Sequence, residues 1–220
     1  MGLLCLGNNS FADWWSHSAK GEQLIIQPKI DGCAVRLRYK YGCLTGASTE
    51  SENDCIAAIR IIPNIPIIID NSRKVEVELR GVLFAPQLEA LKSQSLAKDH
   101  LSEKVMACED LAFVAYEILG STHDELQDLT QLQNWGFDVP VTLRTDNPQQ
   151  VAKWHIQWMN HQLFSNYPTD GIVAKYNSIN TKNKLGACSN YKNWALALKK
   201  PISTQIGGKP KELHSSKSLI

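Results

Sequence analysis

Three lysines lie in short stretches whose composition suits phosphate chemistry. Lys29 opens the sequence Lys-Ile-Asp-Gly, Lys175 closes Asp-Gly-Ile-Val-Ala-Lys, and Lys199 closes Trp-Ala-Leu-Ala-Leu-Lys. An uncharged lysine amine can attack phosphorus to form a phosphoramidate. Neighbouring cations favour the neutral amine and also stabilise charge on a phosphate. Taken singly, each stretch is better explained by a surface turn or by a solubilising charge at a strand end, so only the set of three carries the signal.

The elements that would position these lysines are mostly short strands. Residues 24–27 predict a strand that ends at Pro28, and residues 33–41 alternate apolar with charged side chains, which is typical of a half-buried strand. Gly42 would turn the chain into an antiparallel partner. Further strands are predicted over 75–84, 111–119, 139–143, 171–176 and 194–199, and helices over 54–60, 87–98, 124–135 and 147–161. Adjacent antiparallel strands mixed with helices indicate an α+β domain.

Composition restricts the class of protein. The 220 residues are 43% hydrophobic and carry 23 Lys and Arg against 22 Asp and Glu, so the net charge is +1. That balance argues against a nonspecific nucleic-acid coat protein but permits a local basic groove. The six cysteines contain no C-x-x-C pair of a structural zinc site, which favours reduced thiols. With neither a signal peptide nor an apolar run of ~20 residues, we expect a cytoplasmic protein without membrane partners.

The chain is expected to form one domain over residues 1–201. After Pro201 the composition becomes polar and rich in Ser, Lys and Gly, so residues 202–220 are expected to be a disordered tail.

The order of the short motifs resembles the nucleotidyltransferase domain of the DNA ligases, most closely the bacterial NAD-dependent type. Residues 27–32 resemble motif I, 78–87 motif III, 113–116 the aromatic stretch, 170–175 motif IV, and 194–199 with Pro201 motif V. The similarity extends from residue 4 to residue 201. It implies the ligase adenylation fold, an ATP-grasp-like α+β domain of mainly antiparallel sheets flanked by helices.

The resemblance implies a role for each matching residue. Lys29 would accept AMP, and Asp31 would help to orient that lysine and the ribose. Lys175 and Lys199 would contact phosphate, and Tyr116 would stack on adenine. Gln27 replaces the glutamate often found two residues before the lysine and keeps an amide oxygen for adenine's amino group. The matching positions that complete the nucleotide-binding set are Gln27, Ile30, Gly32 and Glu78.

The implied reaction moves AMP from ATP or NAD, with Mg²⁺, to Lys29 and then to a 5′-phosphate nucleic-acid end, more readily DNA than RNA, as in DNA repair or replication. ATP is expected to be the better donor, because the sequence lacks the module that orients the nicotinamide mononucleotide half of NAD. The DNA-encircling modules of the family are not recognised either. This leaves open whether a partner protein supplies the DNA clamp.

Motif III departs from the family at its last position. Val82 stands where a glutamate is usual, and valine can neither hydrogen-bond a ribose nor help to hold a metal. Glu78 is on the same strand face, yet four residues along a strand amount to ~13 Å, so it is no simple substitute. The departure leaves an alternative open, in which the chain is a catalytically weakened, ligase-like module that binds nucleotide or nucleic acid.

Overall fold

The structure is a computed structural model that describes residues 2–5, 11, 14–15, 21–70, 76–102, 111–187 and 191–200. The strands are β1 Gly2–Cys5, β2 Leu24–Ile30, β3 Cys33–Lys40, β4 Cys43–Thr49, β5 Glu76–Phe84, β6 Ala112–Ile118, β7 Leu143–Thr145, β8 Thr169–Tyr176 and β9 Tyr191–Leu198. The helices are α1 Ile56–Arg60, α2 Ala90–Leu101, α3 Glu125–Asn134, α4 Pro148–Met159 and α5 Ile179–Leu185.

The strands form two sheets, which confirms the predicted α+β class. The first sheet has the order β1-β9-β8-β2-β7 and the second has the order β4-β3-β5-β6. Neighbouring strands are antiparallel except for β1 and β9, which run parallel. Each sheet keeps one face for a hydrophobic core and turns the other toward the opposite sheet.

In the second sheet, the alternation of apolar and charged residues in the sequence of β3 corresponds to alternating buried and more exposed side chains in the folded strand. Val35, Leu37 and Tyr39 are buried in a core formed with the helices α1, α2 and α3. Arg36 and Arg38 lie on the other face, as the period of two requires. The apolar residues therefore fix which face of this sheet is available to the site.

The first sheet divides its residues in the same way. Leu24 and Ile26 of β2 pack with Val151 and Trp158 of α4 in a second core. Gln27 is buried on the opposite face, and Lys29 is two residues further along on that same face. The nucleophile candidate thus points into the space between the sheets rather than into a core.

Most predicted strands differ from the observed ones by one to three residues at an end, and two of the differences concern the pair formed by β2 and β7. The strand expected to end at Pro28 continues to Ile30, because β7 pairs only with the first three residues of β2 and leaves the other side open at Pro28. A proline is tolerated there, since the N–H that it lacks has no ladder partner to lose on an open side. The strand expected over 139–143 lies instead at Leu143–Thr145.

Helix α3 begins where the sequence predicts, and it is joined to a helix that the sequence patterns do not predict. Gln127 Oε1 accepts a hydrogen bond from the Asp124 backbone N–H at 3.0 Å, half of a capping box. Asp124 Oδ1 accepts one from the N–H of Ile179 at 2.8 Å, the first residue of α5. Asp124 therefore ties the N-terminal ends of the two helices together.

Two further expectations concern the C-terminal tail and membrane-spanning helices. The predicted tail over 202–220 lies outside the described residues. Within the described part of the chain, no helix combines the length and the apolar character needed to cross a bilayer.

Candidate active site

Lys29 and Lys199 share one carboxylate. Lys29 Nζ lies 2.8 Å from Asp170 Oδ1, and Lys199 Nζ lies 2.8 Å from Asp170 Oδ2. Burial by itself would raise the pKa of Asp170, but the two ammonium groups outweigh burial and hold that pKa below its ordinary value. Asp170 is therefore ionised between two cations. We call Lys29, Asp170 and Lys199 the nucleophile cluster.

Strand pairing explains why these three residues meet. Gly171 of β8 lies directly opposite Lys29 of β2, and Lys199 follows the last residue of β9 on the other side of β8. A Cβ atom at Gly171 would lie 2.7 Å from the Leu198 carbonyl oxygen, closer than such atoms approach. The glycine after Asp170 therefore lets β9 come close enough for Lys199 to reach that aspartate.

The turn that follows Lys29 is held on several sides. The Asp31 N–H donates to the Pro168 carbonyl oxygen at 2.7 Å, and the Ser93 hydroxyl donates to the Asp31 carbonyl oxygen at 3.0 Å. At Gly32 the backbone of β5 passes so close that a Cβ atom would lie 2.2 Å from the Leu83 carbonyl oxygen. Gly32 is thus required by packing, and backbone hydrogen bonds hold the turn after Lys29 on both sides.

The Asp31 side chain does not hold Lys29 in this structure. Among the described residues Asp31 forms no ion pair, whereas Asp170 holds the Lys29 ammonium directly. Burial, and then the neighbouring Asp170 charge, raise the pKa of Asp31 above its ordinary value. The carboxylate that contacts the Lys29 ammonium is therefore that of Asp170, a residue that the motif comparison contains but to which it gives no role.

Lys175 lies at the other end of the same sheet face. It is four residues beyond Gly171, the partner of Lys29, which places it ~13 Å along the strand and on the same side of the sheet. Its Nζ lies 2.7 Å from Glu125 Oε1 and 5.5 Å from the centre of the Tyr116 ring. Of the two lysines expected to contact phosphate, the structure therefore brings only Lys199 to Lys29.

A second carboxylate lies between two lysines at this far end. Glu125, the first residue of α3, bonds Lys175 through Oε1 and Lys182 of α5 through Oε2. All three residues are buried. Burial acts to raise the pKa of Glu125, but the two lysines outweigh it and hold that pKa below its ordinary value. We call Lys175, Glu125 and Lys182 the anchor cluster.

Gln27 and Tyr116 lie on the facing surfaces of the two sheets. Gln27 Nε2 donates to Thr142 Oγ1 at 3.1 Å, so that the amide oxygen is left as an acceptor, as the sequence comparison requires. Its position in β2 is between the levels of the two clusters, since Lys29 is two residues along and Ile25, the partner of Lys175, is two residues back. An aromatic ring and an amide oxygen thus line the space between the two clusters.

The position of the missing glutamate is occupied by an apolar wall. Val82 packs with Phe84 and Val114 in a small buried cluster to which Ile30 and Tyr167 also contribute. This cluster joins the two sheets close to the Lys-Ile-Asp-Gly turn. Ile30, which the sequence predicts to be a nucleotide-binding residue, makes apolar contacts with this cluster.

Glu78 is not brought to this region. Its Oε1 accepts from Arg38 Nε at 2.8 Å across the β3–β5 pair, near the far end of the second sheet. Its prediction as a nucleotide-binding residue therefore has no geometric support.

The described residues contain no group of three or more His, Cys, Asp or Glu side chains that could cage a metal ion. Both oxygens of Asp170 already bond lysines. Among the residues that the structure describes, Asp31 is the other carboxylate beside this cluster, and a cation next to it would offset the effect of burial that raises its pKa. The residues fit a Mg²⁺ ion that is bound mainly by substrate phosphates, with Asp31 as its protein ligand.

Sequence reasoning does not identify three of the candidate functional residues. Asp170 has a weak signal, because it stands directly before the glycine of the second lysine stretch. Glu125 and Lys182 have none, since acidic and basic residues in short amphipathic helices are ordinarily solvated. Only the folded arrangement of α3, α5 and β8 reveals that these two side chains are buried together.

Known proteins similar to this chain include DNA ligases. A DNA ligase of Shewanella frigidimarina is 29% identical over 214 residues, which cover 83% of this chain and 32% of that protein. A DNA ligase of Prochlorococcus marinus is 31% identical over 215 residues, which cover 81% of this chain and 31% of that protein. The chain thus spans about a third of the length of these relatives.

Solved structures support the same fold. A Lig E DNA ligase superposes with a TM-score of 0.55 at 14% identity, over 91% of this chain and 69% of that one. The ATP-dependent DNA ligase of bacteriophage T7 in complex with ATP gives 0.54 at 11% identity, over 90% and 67%. The family model for the NAD-dependent DNA ligase adenylation domain matches residues 8–103 and 93–203, which together make up most of the sequence. This chain belongs to the adenylation-domain family of the NAD-dependent DNA ligases.

Proposed function

We propose that this domain forms a covalent lysyl-AMP intermediate on Lys29 and passes the AMP to a 5′-phosphate nucleic-acid end. The observation that carries the proposal is the nucleophile cluster, in which two ammonium groups bond the two oxygens of Asp170 at 2.8 Å. Two ammonium groups that fit the oxygens of one carboxylate also fit two oxygens of a phosphate. Lys29 would then supply the attacking nitrogen and Lys199 the charge that stabilises the phosphate.

The proposed reaction has three steps. The Lys29 ammonium first gives a proton to water, and the neutral amine then attacks the α-phosphorus of the donor, while the bond to pyrophosphate or to nicotinamide mononucleotide breaks and the new P–N nitrogen releases its second proton to water. An oxygen of the 5′-phosphate then attacks the same phosphorus, which breaks the P–N bond and lets Lys29 regain a proton. Finally a 3′-hydroxyl attacks the activated 5′-phosphate and releases AMP, which seals the strand.

We call the space between the two sheets, from the nucleophile cluster to the anchor cluster, the cleft, and its two ends suggest how the donor would lie. The phosphates would occupy the nucleophile cluster, and Mg²⁺ bound to them would offset their charge beside Asp31. The base would lie between Gln27 and the Tyr116 ring, near the Lys175 ammonium. On this proposal Lys175 serves the base end, while Lys199 serves the phosphate.

We further propose that the nucleic acid is DNA, because the similar full-length proteins are DNA ligases. ATP remains our predicted donor, since pyrophosphate can be directed by Mg²⁺ and lysines, whereas the nicotinamide half of NAD needs its own binding surface. Initial rates of Lys29 labelling with ATP and NAD titrated separately decide between the donors. A clear preference for NAD contradicts this part of the proposal. A protein partner that supplies the DNA clamp also stays a prediction.

The proposed chemistry is tested by intact-mass spectrometry after incubation with ATP or NAD and Mg²⁺. We expect the mass of one AMP to be added and peptide mapping to place it on Lys29. An unmodified mass with both donors and several divalent metals would overturn the enzymatic proposal.

One observation favours a second function, that of a binding module with weakened catalysis. Val82 makes the wall beside the Lys29 turn apolar where a carboxylate could have met a ribose or a metal ion. Calorimetry distinguishes the two functions. AMP that binds to the domain while Lys29 remains unlabelled by either donor would identify the binding module.

A further inference from the structure

Glu125 is an unusually constrained carboxylate for the first residue of a surface helix. It is 5% exposed, and each of its oxygens bonds a different lysine. Its backbone N–H donates to the Asn177 carbonyl oxygen at 2.9 Å, just after β8 ends. The backbone of Glu125 is therefore held next to the end of the strand that carries Lys175.

The charges of the anchor cluster define where the Lys175 ammonium must lie. Two buried ammonium groups share one carboxylate, so removing that carboxylate would leave two uncompensated buried charges. Lys182 is held from its other side as well, because its Nζ lies 4.8 Å from the centre of the Trp194 ring. Lys182 is thus fixed by Glu125 and Trp194, and Lys175 by Glu125 and Tyr116.

Lys175 is the member of this cluster that reaches the space between the sheets. Its strand position puts it on the face that carries Gln27 and Lys29, and Tyr116 approaches it from the opposite sheet. Lys175 could make other contacts if it were free, because a lysine side chain has four rotatable carbon–carbon bonds. Glu125 removes that freedom and directs the ammonium to the Tyr116 ring.

We propose that Glu125 is a positioning residue that fixes Lys175 beside Tyr116 and thereby sets how tightly the domain binds the base of its AMP donor. The inference rests on the proposed function, because it takes AMP as the ligand. Glu125 touches no reacting atom and acts through Lys175. A purely structural role, in which Glu125 only joins α3 to β8, would affect every ligand of the cleft equally.

The first experiment measures the position of Lys175 without a nucleotide. Lysines of the folded protein are acetylated briefly, and peptide mass spectrometry gives the reactivity of each. In Glu125→Gln, we expect Lys175 to react several times faster than in the wild type, while Lys29 and Lys199 keep their rates. Unchanged Lys175 reactivity in this variant overturns the positioning claim.

The matched control is Asp128→Asn. Asp128 lies on the same helix and is also buried, but its carboxylate bonds the Ser121 hydroxyl rather than Lys175. We expect this variant to leave the reactivity of Lys175 at the wild-type value. An equal rise in both variants would show a general loosening of α3 and would contradict a specific role for Glu125.

The second experiment compares equilibrium binding of AMP and of ribose 5-phosphate by calorimetry. AMP cannot label Lys29, so this measurement does not depend on catalysis. Glu125→Gln should weaken AMP binding about tenfold, the size of one lost hydrogen bond to a charged group. Ribose 5-phosphate has no base, so its affinity should not change.

The outcomes separate this inference from the proposed function. Equal weakening of both ligands, unchanged AMP affinity, or no binding of AMP to the wild type overturns the role assigned to Glu125. Normal AMP binding with no labelling of Lys29 by ATP or NAD overturns the proposed reaction alone. Asp128→Asn should bind both ligands as the wild type does, which completes the test.

Discussion

The nucleophile cluster and the anchor cluster are built from the same parts and differ in their access to water. Each places one carboxylate between two lysines. In the nucleophile cluster the side chains of Asp170 and Lys199 are 28% and 38% exposed, whereas that of Lys29 is 9% exposed. In the anchor cluster the side chains of Glu125 and both lysines are 6–9% exposed. The same charge arrangement is therefore open to water on the Lys199 side of the nucleophile cluster and sealed on every side in the anchor cluster.

This difference indicates what each cluster can do. A partly exposed lysine can leave its carboxylate for an incoming phosphate at little cost, because water and the ligand replace the lost contact. A sealed lysine cannot leave without exposing a buried charge to an apolar surrounding. We therefore expect exchange of partners at Lys199 and a fixed ammonium at Lys175.

The largest expected effect is on AMP labelling, which should depend on a lysine of the nucleophile cluster and not on Lys182 of the anchor cluster. Lys29→Ala should abolish AMP labelling while the domain stays folded, because it removes the attacking nitrogen. Lys182→Met in the anchor cluster should still be labelled, since Glu125 and Lys175 remain as a neutral pair. Intact mass and circular dichroism provide the two measurements. An adduct that persists in Lys29→Ala would show that another residue is the nucleophile.

The next effect concerns stability. Glu125→Ala should lower the free energy of unfolding by about 3–5 kcal/mol, the cost of leaving a buried charge unpaired. Asp170→Ala should cost less than Glu125→Ala, because Lys199 is partly exposed and only the buried Lys29 is left without its carboxylate. Urea denaturation of the two variants measures both values. Equal losses would remove the distinction between a sealed and an open cluster.

The pH dependence of stability should also show that Glu125 is held as a buried, ionised carboxylate. The lysines hold the pKa of Glu125 below its ordinary value of 4.5 against the effect of burial. A carboxylate whose pKa is lower in the folded state stabilises the fold above its unfolded pKa and loses that contribution as pH falls through the folded pKa. The stability gap between the wild type and Glu125→Gln should therefore be constant near neutrality and shrink below pH 4.5. A gap that grows in acid contradicts the assignment.

The smallest effect has the opposite sign. Burial and the Asp170 charge raise the pKa of Asp31, so its ionised form is disfavoured in the folded state. Asp31→Asn should consequently stabilise the domain slightly at neutral pH, and the gain should disappear as pH falls below the ordinary value of 3.8. Thermal unfolding at several pH values measures this gain. Destabilisation at neutral pH would mean that the Asp31 carboxylate has a structural partner.

Local patterns in the sequence predict those parts of the fold whose stability is decided locally. The alternation in β3 follows from one buried face, and the start of α3 follows from its cap. Pro28 misleads, because its tolerance depends on how far β7 extends along the neighbouring edge. That extent is a property of the assembled sheet and leaves no mark in the residues around Pro28.

The candidate site also has a part that local sequence predicts and a part that depends on the assembled fold. Lys29 and Gly32 are readable from a four-residue motif, since the turn and the nucleophile are adjacent in sequence. The separation of Lys175 from Lys199 requires the register of β8 against both neighbours. Glu125 is invisible to motif reasoning, because its partners come from elements about 50 residues or more away in sequence and nothing local distinguishes it from a solvated helix start.

The most direct test of the division between the clusters is the rate of Lys29 labelling as a function of ATP concentration in Lys199→Met and Lys175→Met. We expect Lys199→Met to lower the maximal rate by about 10²–10³-fold, the effect of removing one group that stabilises transition-state charge. Lys175→Met should instead raise the ATP concentration at half-maximal rate and leave the maximal rate within about twofold of the wild type, as expected for uniform binding. The same kinetic defect in both variants would contradict the account.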